Sequence, residues 1–194
     1  EKKELINKTN GLLDQKFSKT IDCPQCNAKK DEHEKLFIKD GYTFVRCAKC
    51  EMIFTNPQVD PSLLGELYGQ SKANDLWVDI QESQKEKKWK EEYYKDNIEA
   101  INNYREGNQI KLMDVGCSSG YFLDVLNKCQ TPISGEGVEL SEKAFKYAKD
   151  KKLDVYKCFL NELDEKLSYD IFTLFGVLEH LPNPSQIFED IKLK

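Results

Sequence analysis

Residues 111–122 have the sequence KLMDVGCSSGYF, and this stretch decides the expected fold. The run from Lys111 to Val115 predicts a strand, and Gly120 to Lys128 predicts a helix with its apolar residues on one side. A turn of small residues beginning at Gly116 lies between them. Glycine lets the backbone approach a ligand closely, and the N-terminus of the next helix favours a negative group. The stretch therefore predicts a strand, a turn and a helix with a ligand site at the turn.

The sequence after this stretch alternates between further strands and helices. Strands are predicted at residues 137–140, 154–158 and 169–176, and a helix is predicted after Ser141. Strands that alternate with short helices form parallel sheets with right-handed crossovers. The expected fold class is therefore α/β.

The spacing of the glycines narrows the choice of ligand. Dinucleotide-binding turns follow G-x-G-x-x-G and P-loops follow G-x-x-x-x-G-K-[ST], and neither pattern is present. The turn instead carries Asp114-x-Gly116-x-x-x-Gly120. Simple turn geometry is the alternative explanation for either glycine.

This pattern resembles the first motif of the class I S-adenosylmethionine (SAM)-dependent methyltransferases, with Ser118 in place of the usual middle glycine. Glu139 lies at the end of the second strand and matches the acid that binds the ribose hydroxyls in that family. Residues 169–184, YDIFTLFGVLEHLPNP, look like the family's fourth-strand segment. The resemblance implies a Rossmann-like doubly wound sheet and SAM as the cofactor.

The resemblance also assigns roles around the cofactor. Asp114 is expected to anchor the backbone or amino end of the pocket, and Gly116 to make room for it. Aromatic groups suit the cationic methyl donor, which makes Tyr121 and Phe175 candidates by position. Residues matching the positions beside the adenine are Leu140, Phe159 and Leu160. The expected cofactor-binding set is Asp114, Gly116, Cys117, Ser118, Gly120, Tyr121, Glu139, Leu140, Phe159, Leu160 and Phe175.

His180 is the imidazole nearest the expected exit of the fourth strand, where open α/β sheets bind their ligands. It is the candidate catalytic residue, a general base for the methyl acceptor. The alternative is a structural hydrogen bond to a neighbouring loop. Cys117 lies near a helix N-terminus, which can lower a thiol pKa. No partner base is evident, so we interpret Cys117 as a small turn residue, and Cys129 and Cys158 as core.

Four of the seven cysteines form two Cys-x-x-Cys pairs, Cys23 with Cys26 and Cys47 with Cys50. Asp40-Gly41 between them predicts a hairpin that brings the pairs together. Four thiolates fill a tetrahedral shell, so the spacing predicts a structural zinc ribbon. A redox dithiol is the alternative. His33 is a possible substitute ligand, but we interpret it as a solvated loop residue because the cysteines already complete the shell.

The ribbon also resembles the N-terminal zinc ribbon of bacterial methyltransferases of sugar and surface-polysaccharide pathways. Residues 45–57, VRCAKCEMIFTNP, followed by a Leu-rich segment, carry that resemblance. Asn27 and Glu51 stand where each Cys pair is usually followed by a glycine. Asn adopts a left-handed conformation readily and Glu less so.

The sequence divides into four parts: a loose or weakly helical arm over residues 1–20, the ribbon over 21–57, a helical connector over 58–106 and the SAM-binding domain over 107–194. In the connector, Asp60 is expected to cap a helix that buries Leu63, Leu64, Leu67 and Tyr68. A longer helix is expected between about residues 75 and 104, with Trp89, Tyr93, Ile101 and Tyr104 packed in the core. The family's sheet continues for three more strands, so we expect the last domain to be incomplete.

Composition excludes several classes of protein. The net charge is −5, and only Arg46 and Arg105 are arginines, which disfavours nucleic-acid binding. The longest apolar run, over residues 171–178, is too short for a membrane span. The first residue is Glu1 and residues 1–19 lack the apolar core of a signal peptide, so we expect a trimmed chain located in the cytoplasm.

The predicted function is SAM-dependent methylation of a small molecule, a sugar nucleotide or polysaccharide precursor. One alternative is methylation of RNA or protein with the ribbon as the docking module. RNA is disfavoured as the acceptor because residues 21–57 carry six basic and six acidic side chains and so have no excess of positive charge. Another alternative is a methyltransferase-like binding protein without catalysis. The sequence does not specify an oligomeric state.

Overall fold

The structure is a computed structural model that describes residues 5–63, 72–104 and 109–194. The chain divides into two compact units. Unit 1 comprises Glu1–Leu67 and Leu181–Ile187, and unit 2 comprises Tyr68–His180 and Phe188–Lys194.

Unit 1 contains two small antiparallel sheets in its described residues. Strand β1 (Ser18–Lys19) pairs with β5 (Gln58–Val59). Strands β2 (His33–Lys39), β3 (Tyr42–Cys47) and β4 (Ile53–Thr55) form a sheet in the order β2-β3-β4. This second sheet carries the cysteine pairs.

The hairpin between β2 and β3 confirms the prediction made from Asp40-Gly41. Both turn residues have positive φ, +51° at Asp40 and +84° at Gly41, as a two-residue hairpin turn requires. Strand β4 was not predicted from the sequence. It pairs with β3 because Val45 faces Phe54 across the ladder, and both side chains are buried beside the first cysteine.

Residues 5–19 differ from the expected loose or weakly helical arm. Ile6 and Leu13 form an isolated antiparallel bridge, and the Leu13 N–H donates to the Gly41 carbonyl at 2.9 Å. Leu13 is buried as a result. The arm is therefore folded back onto the hairpin turn, because its two apolar side chains find partners there.

The expected connector contains two helices in its described residues, α1 (Lys72–Gln81) and α2 (Gln84–Tyr104). Glu82 and Ser83 separate them, so the single long helix expected from about residue 75 was wrong. Asp60 does cap a turn, since it accepts the Ser62 N–H at 2.9 Å, but that turn is a short 3-10 helix over Pro61–Leu63. The expected burial of Leu64, Leu67 and Tyr68 lies outside the described residues.

The buried face of α2 also differs from the expectation. Trp89, Tyr93 and Tyr104 are 54%, 47% and 86% exposed, so the prediction that they pack in the core was wrong. Ile98 is buried and Ile101 packs against the same core, as does Tyr94. Helical spacing is compatible with burial of either the exposed aromatic residues or the residues around Ile98. Packing against the core of unit 2 buries the side of the helix that carries Ile98.

Unit 2 is built on a four-stranded parallel sheet, which confirms the predicted α/β class. Its strands are β6 (Ile110–Val115), β7 (Ile133–Val138), β8 (Val155–Tyr156) and β9 (Ile171–Thr173), in the order β8-β7-β6-β9. Strand β6 lies between β7 and β9, so the loop that follows it is central at the carboxyl edge of the sheet.

Helices connect these strands at the predicted places. Helix α3 (Tyr121–Lys128) follows β6, and α4 (Glu142–Asp150) follows β7. Helix α5 (Pro184–Lys192) follows β9. Ser141 caps α4 by accepting the Ala144 N–H at 3.3 Å. None of the helices described is long and apolar enough to cross a membrane.

The core of unit 2 lies between the sheet and the helices α2, α3 and α4. Its buried members are Ile98, Ile110, Leu112, Cys117, Phe122, Leu123, Val125, Leu126, Ile133, Ala148, Leu153 and Val155. Because β6 is buried along most of its length, the loop after it starts from a rigid strand.

Candidate functional site

The carboxyl ends of β6 and β7 bring two predicted site segments together. Asp114 pairs with Gly137 and Val115 with Val138, so both strands end at the same level. The loop over residues 116–120, which we call the glycine loop, therefore begins beside Glu139. Open α/β sheets bind ligands at this edge.

Two glycines of the loop need their lack of a side chain. Gly116 has φ +66°, and a Cβ there would lie 2.8 Å from the Val177 side chain. Gly120 has φ +73°, and its Cβ would meet Leu153 and lie 3.3 Å from Ala148. The contact with Val177 also shows that the segment after β9 lies beside the glycine loop. Both glycines are therefore required by the packing around the loop.

Ser118 takes the conformation that its family position usually gives to glycine. Its φ is +51°, which costs an L-residue about 1–2 kcal/mol. Two hydrogen bonds offset this cost: its N–H donates to Glu139 Oε2 at 2.8 Å, and its hydroxyl donates to Gln81 Oε1 at 3.3 Å. The serine is therefore compatible with the turn because of contacts from outside it.

Glu139 joins the two strand ends through its carboxylate. One oxygen accepts the Ser118 N–H, and the other accepts the Ser141 N–H at 2.7 Å. Burial raises the pKa of Glu139, while the amides of Ser141, Ser118 and Leu140 act in the opposite direction. A carboxylate has about four lone-pair sites, so this one can still accept two hydroxyl groups.

Asp114 lies inside the sheet edge rather than on the surface of the site. It is buried, and Thr173 on β9 donates its hydroxyl to the carboxylate at 2.7 Å. Burial raises the pKa of Asp114 to about 7, against the Thr173 hydrogen bond, and the charge of Glu139 raises it further. Asp114 therefore links the two central strands below the glycine loop.

The cysteine of the glycine loop is buried. Burial and the nearby acids Asp114 and Glu139 raise the pKa of Cys117 well above its usual range. Its sulfur lies close to Gly137, where a Cβ would come within 2.6 Å of it. These surroundings suit a packed turn residue and not a thiolate nucleophile.

The residues expected beside the adenine differ in exposure. Leu160 is buried at the start of a 3-10 turn, Phe159 is 52% exposed, and Leu140 is half-buried. They follow β8 and β7, at the same edge as Glu139. Their contact with adenine stays a prediction.

The two aromatic residues expected near the methyl group pack against α2. Phe175 lies 5.1 Å from Tyr94 and 4.8 Å from Phe122, ring centre to ring centre. Tyr121 donates its hydroxyl to the Lys87 carbonyl at 3.1 Å. Both rings therefore belong to the wall formed by α2 and α3, and their contact with the cofactor stays a prediction.

His180 ends a 3-10 turn over Leu178–His180 and is exposed. Its backbone N–H donates to the Val177 carbonyl at 2.9 Å, and Val177 is the residue that packs on Gly116. His180 therefore belongs to the segment that borders the glycine loop. Its role as a general base stays a prediction.

Sequence reasoning missed a group of residues at the junction of α1 and α2. Gln81 and Glu82 accept hydrogen bonds from the hydroxyls of Ser118 and Ser119. Lys151 donates to both Glu82 and the Ser119 carbonyl, at 2.8 Å each. No sequence motif marks these residues, because their partners lie far away along the chain.

The two cysteine pairs of unit 1 form one cluster. The ligand atoms of Cys23, Cys26, Cys47 and Cys50 all lie within 4.8 Å of one another. The sulfurs of Cys23 and Cys50 are 3.6 Å apart, as are those of Cys26 and Cys47, much longer than a disulfide of about 2.05 Å. Four thiols at such distances fit a tetrahedral zinc ion with bonds of about 2.3 Å.

The two cysteine turns have the same backbone geometry. Asn27 donates its N–H to the Cys23 carbonyl, and Glu51 donates to the Cys47 carbonyl, each at 2.9 Å. Both residues have left-handed φ, +58° and +62°. Backbone N–H groups of Cys50 and Lys49 bond the Cys47 sulfur and, against burial, lower its pKa to about 7. These amides therefore favour the thiolate of Cys47, the form that binds a metal, whereas, against a backbone hydrogen bond to each sulfur, burial and neighbouring thiols of the cluster raise the pKa of Cys26 and Cys50.

His33 lies at the start of β2, so its interpretation as a solvated loop residue was wrong. The ring packs edge-on against Phe54 at 5.0 Å, and its Nδ1 lies 3.3 Å from the Asn56 amide nitrogen. Asn56 is itself buried and bonds both backbone groups of Ile21. In the described part of the chain, the metal-capable cluster comprises the four cysteines, and His33 supports the strand beside it.

Comparison with known proteins identifies the fold around the glycine loop. Residues 86–193 match a family model described as a methyltransferase domain, which is more than half of the chain. The chain belongs to the methyltransferase domain family. This confirms the class of protein that the sequence of the glycine loop predicted.

One curated relative is the ubiquinone biosynthesis O-methyltransferase of Dechloromonas aromatica (strain RCB). It is 32% identical over 85 residues, which cover 40% of this chain and 36% of the relative. This chain therefore spans little more than a third of the length of that relative.

Two solved structures share the fold. The magnesium protoporphyrin IX methyltransferase (ChlM) from Synechocystis PCC 6803, with bound SAM, superposes with a TM-score of 0.54 at 18% identity and covers 71% of this chain and 73% of that one. The plantazolicin methyltransferase BpumL, in complex with SAH, gives 0.53 at 15% identity, covering 66% and 51%. At these identities the similarity supports the fold alone, and it agrees with the predicted Rossmann-like sheet.

Proposed function

We propose that this protein transfers the methyl group of SAM to a small-molecule acceptor. The observation that carries the proposal is the carboxylate of Glu139, which holds the glycine loop through Ser118 at the carboxyl edge of a parallel sheet. Family membership supports the same reaction class, because residues 86–193 match a methyltransferase domain.

The residues at this edge fit SAM. Gly116 is the proposed point of close backbone approach to the cofactor, and Glu139 keeps lone pairs for the two ribose hydroxyls. Asp114 fixes the loop from below through β9. When bound, SAM supplies an electrophilic methyl on a sulfonium, so the chain contributes binding, orientation and exclusion of water. The further cofactor contacts proposed are those of Cys117, Gly120, Tyr121, Leu140, Phe159, Leu160 and Phe175.

His180 is the proposed general base. It lies in the turn after β9, and Val177 in the same turn packs on the glycine loop. An exposed imidazole there could act as the group that takes a proton from an acceptor hydroxyl. The substitution His180→Gln tests this role. It should lower the rate of transfer and leave SAH affinity unchanged, and full turnover would contradict it.

The cysteine cluster is proposed to hold zinc as a structural ion. Its four thiolates leave no open coordination position, so the metal stabilises the fold of unit 1 and takes no part in the reaction. The close approach of all four ligand atoms supports this assignment.

The proposed acceptor is a sugar nucleotide or polysaccharide precursor, and the proposed location is the cytoplasm. The resemblance of residues 45–57 to the ribbons of methyltransferases in such pathways supports this acceptor. The charge balance disfavours nucleic acid as the partner, since six basic and six acidic side chains share residues 21–57.

The experiment is isotope transfer from methyl-labelled SAM into a panel of nucleotide sugars, RNA and protein, with the Glu139→Ala variant as the control. We expect label in the nucleotide-sugar fraction with wild-type protein alone. Label in RNA or protein would overturn the acceptor class. Binding of SAM without transfer to any acceptor would contradict catalysis.

A further inference from the structure

The junction between α1 and α2 contacts the glycine loop from outside the sheet. Gln81 ends α1, and its side chain accepts the Ser118 hydroxyl at 3.3 Å. Glu82 follows it and accepts the Ser119 hydroxyl in a short hydrogen bond. All four residues belong to unit 2. Two consecutive residues of the junction thus hold two consecutive residues of the loop.

Glu82 is the centre of this contact. Its side chain is only 12% exposed, and its two oxygens accept the ammonium groups of Lys151 and Lys87, each at 2.8 Å. Burial disfavours the charged form, but hydrogen bonds from Lys151, Lys87 and Ser119 outweigh burial and lower the pKa of Glu82 to about 2. The carboxylate is therefore charged and fixed in position at neutral pH.

Its two lysine partners extend the contact along the C-terminal end of the glycine loop and onto the first residue of α3. Lys151 follows α4 and also donates to the Ser119 carbonyl at 2.8 Å. Lys87 lies in the first turns of α2, and its carbonyl accepts the Tyr121 hydroxyl at 3.1 Å. Ser119 is buried, so both its hydroxyl and its carbonyl depend on these partners for hydrogen bonds.

The glycine loop needs such support because of its sequence. Ser118 holds a left-handed backbone that favours glycine, and its hydrogen bond to Gln81 comes from the same junction. Loss of the junction would remove the hydroxyl partners of both serines at once. The loop conformation thus depends on residues about 37 positions earlier in the chain.

We infer that Glu82 is a positioning residue for the cofactor loop: it holds Ser119, through its hydroxyl and through Lys151, so that the loop is formed before SAM binds. The inference rests on the proposed function, since it assigns the glycine loop to SAM. Glu82 acts through Ser119 and touches no reacting atom.

The test compares Glu82→Gln with Asp79→Asn. Asp79 lies on α1 and also pairs with a lysine of α4, Lys143, at 2.6 Å, and its carboxylate further accepts the Tyr147 hydroxyl of the same helix, so its contacts lead to α4 and not to the glycine loop. Binding of SAH is measured by calorimetry well below the melting temperature of each variant. We expect Glu82→Gln to weaken SAH binding about tenfold or more and Asp79→Asn to change it by less than about twofold.

Hydrogen exchange on the ligand-free protein gives a second readout. In Glu82→Gln, the amides of residues 116–120 should exchange faster, while those of β6 should not change. Asp79→Asn should leave both unchanged. Equal SAH affinity and equal loop exchange in the two variants would overturn the inference.

Ser119→Ala approaches the contact from the loop side and keeps the two ion pairs of Glu82. It should weaken SAH binding, and adding Glu82→Gln to it should cost less than in wild-type protein, because the two residues act through one contact. Fully additive losses of SAH affinity in the double variant would contradict the inference. If Glu82→Gln alone folds poorly, unchanged SAH affinity of Ser119→Ala would still contradict it. Absence of SAH binding by wild-type protein would overturn the proposed function itself, whereas binding that is insensitive to both substitutions would overturn only the role of Glu82.

Discussion

The carboxylate of Glu139 accepts the backbone N–H of Ser118 at 2.8 Å, although 21 positions separate the two residues. This bond joins the end of β7 to the loop after β6. Because Ser118 has a φ of +51°, the bond also stabilises a conformation that serine seldom adopts. Ser118 thus replaces the usual glycine of the motif, and Glu139 stabilises the backbone conformation that this position requires.

The cost of that conformation can be measured with two substitutions of Ser118. Both Ser118→Ala and Ser118→Gly lose the hydroxyl bond to Gln81, but only glycine relieves the positive φ. The free energy of unfolding of Ser118→Gly should therefore exceed that of Ser118→Ala by about 1 kcal/mol. Urea unfolding checks this order, and a more stable alanine variant would show that the backbone is not strained.

Gly120 should tolerate a side chain less well than Gly176. Both have positive φ, so each alanine carries the backbone cost of about 1–2 kcal/mol. At Gly120 the added Cβ also meets Leu153 and Ala148, whereas at Gly176 the nearest atom is 3.6 Å away. We expect Gly120→Ala to be about 1–3 kcal/mol less stable than Gly176→Ala. Equal melting temperatures would contradict this packing.

Asp114 should make the protein less stable as the pH rises. Burial raises its pKa from 3.8 to about 7, so between these values the folded state holds more protons than the unfolded state. The free energy of unfolding should then fall by up to about 1.4 kcal/mol per pH unit between about pH 4 and pH 7.

Asp114→Asn keeps an oxygen for the Thr173 hydroxyl and cannot ionise. Its melting temperature should vary less with pH over this range, and the gain over wild type should be largest near pH 7. Asp96→Asn, at an exposed acid of α2, is the control and should follow the wild-type profile. Parallel profiles for all three proteins would contradict the assignment.

Removal of one thiol from the cysteine cluster should abolish metal binding. Purified protein should contain about one zinc ion per chain, and Cys26→Ser should contain almost none. Cys129→Ser, which lies in unit 2, should retain the metal. Elemental analysis gives the count, and circular dichroism after chelation should show the loss of β structure from unit 1. An unchanged spectrum in metal-free protein would contradict a structural zinc.

Local chemistry explains which parts of the fold the sequence predicted. The turn at Asp40-Gly41 and the strand before Gly116 depend on neighbouring residues, and both are present as expected. The cysteine spacing likewise specified the cluster, because two turns on one hairpin can share one centre.

Contacts between residues far apart in the sequence determine two features that were not predicted, the break between α1 and α2 and the buried face of α2. The break at Glu82 carries neither glycine nor proline, and the partners that Glu82 contacts there, Lys151 and Ser119, lie far away along the chain. The orientation of α2 was ambiguous for a related reason. Trp89 and Ile98 lie about 180° apart around the helix, each in a stripe with helical spacing, and only packing selects the stripe of Ile98 for burial.

The most direct test of the methyltransferase assignment is a calorimetric titration of the wild-type protein and Glu139→Gln with SAH. We expect one SAH site per chain in wild-type protein and an affinity at least about tenfold weaker in the variant, because the substitution removes the charged acceptor for the ribose hydroxyls and for Ser118. Absence of binding to wild-type protein, or equal affinity of the two proteins, would contradict the assignment of this site to the methyl donor.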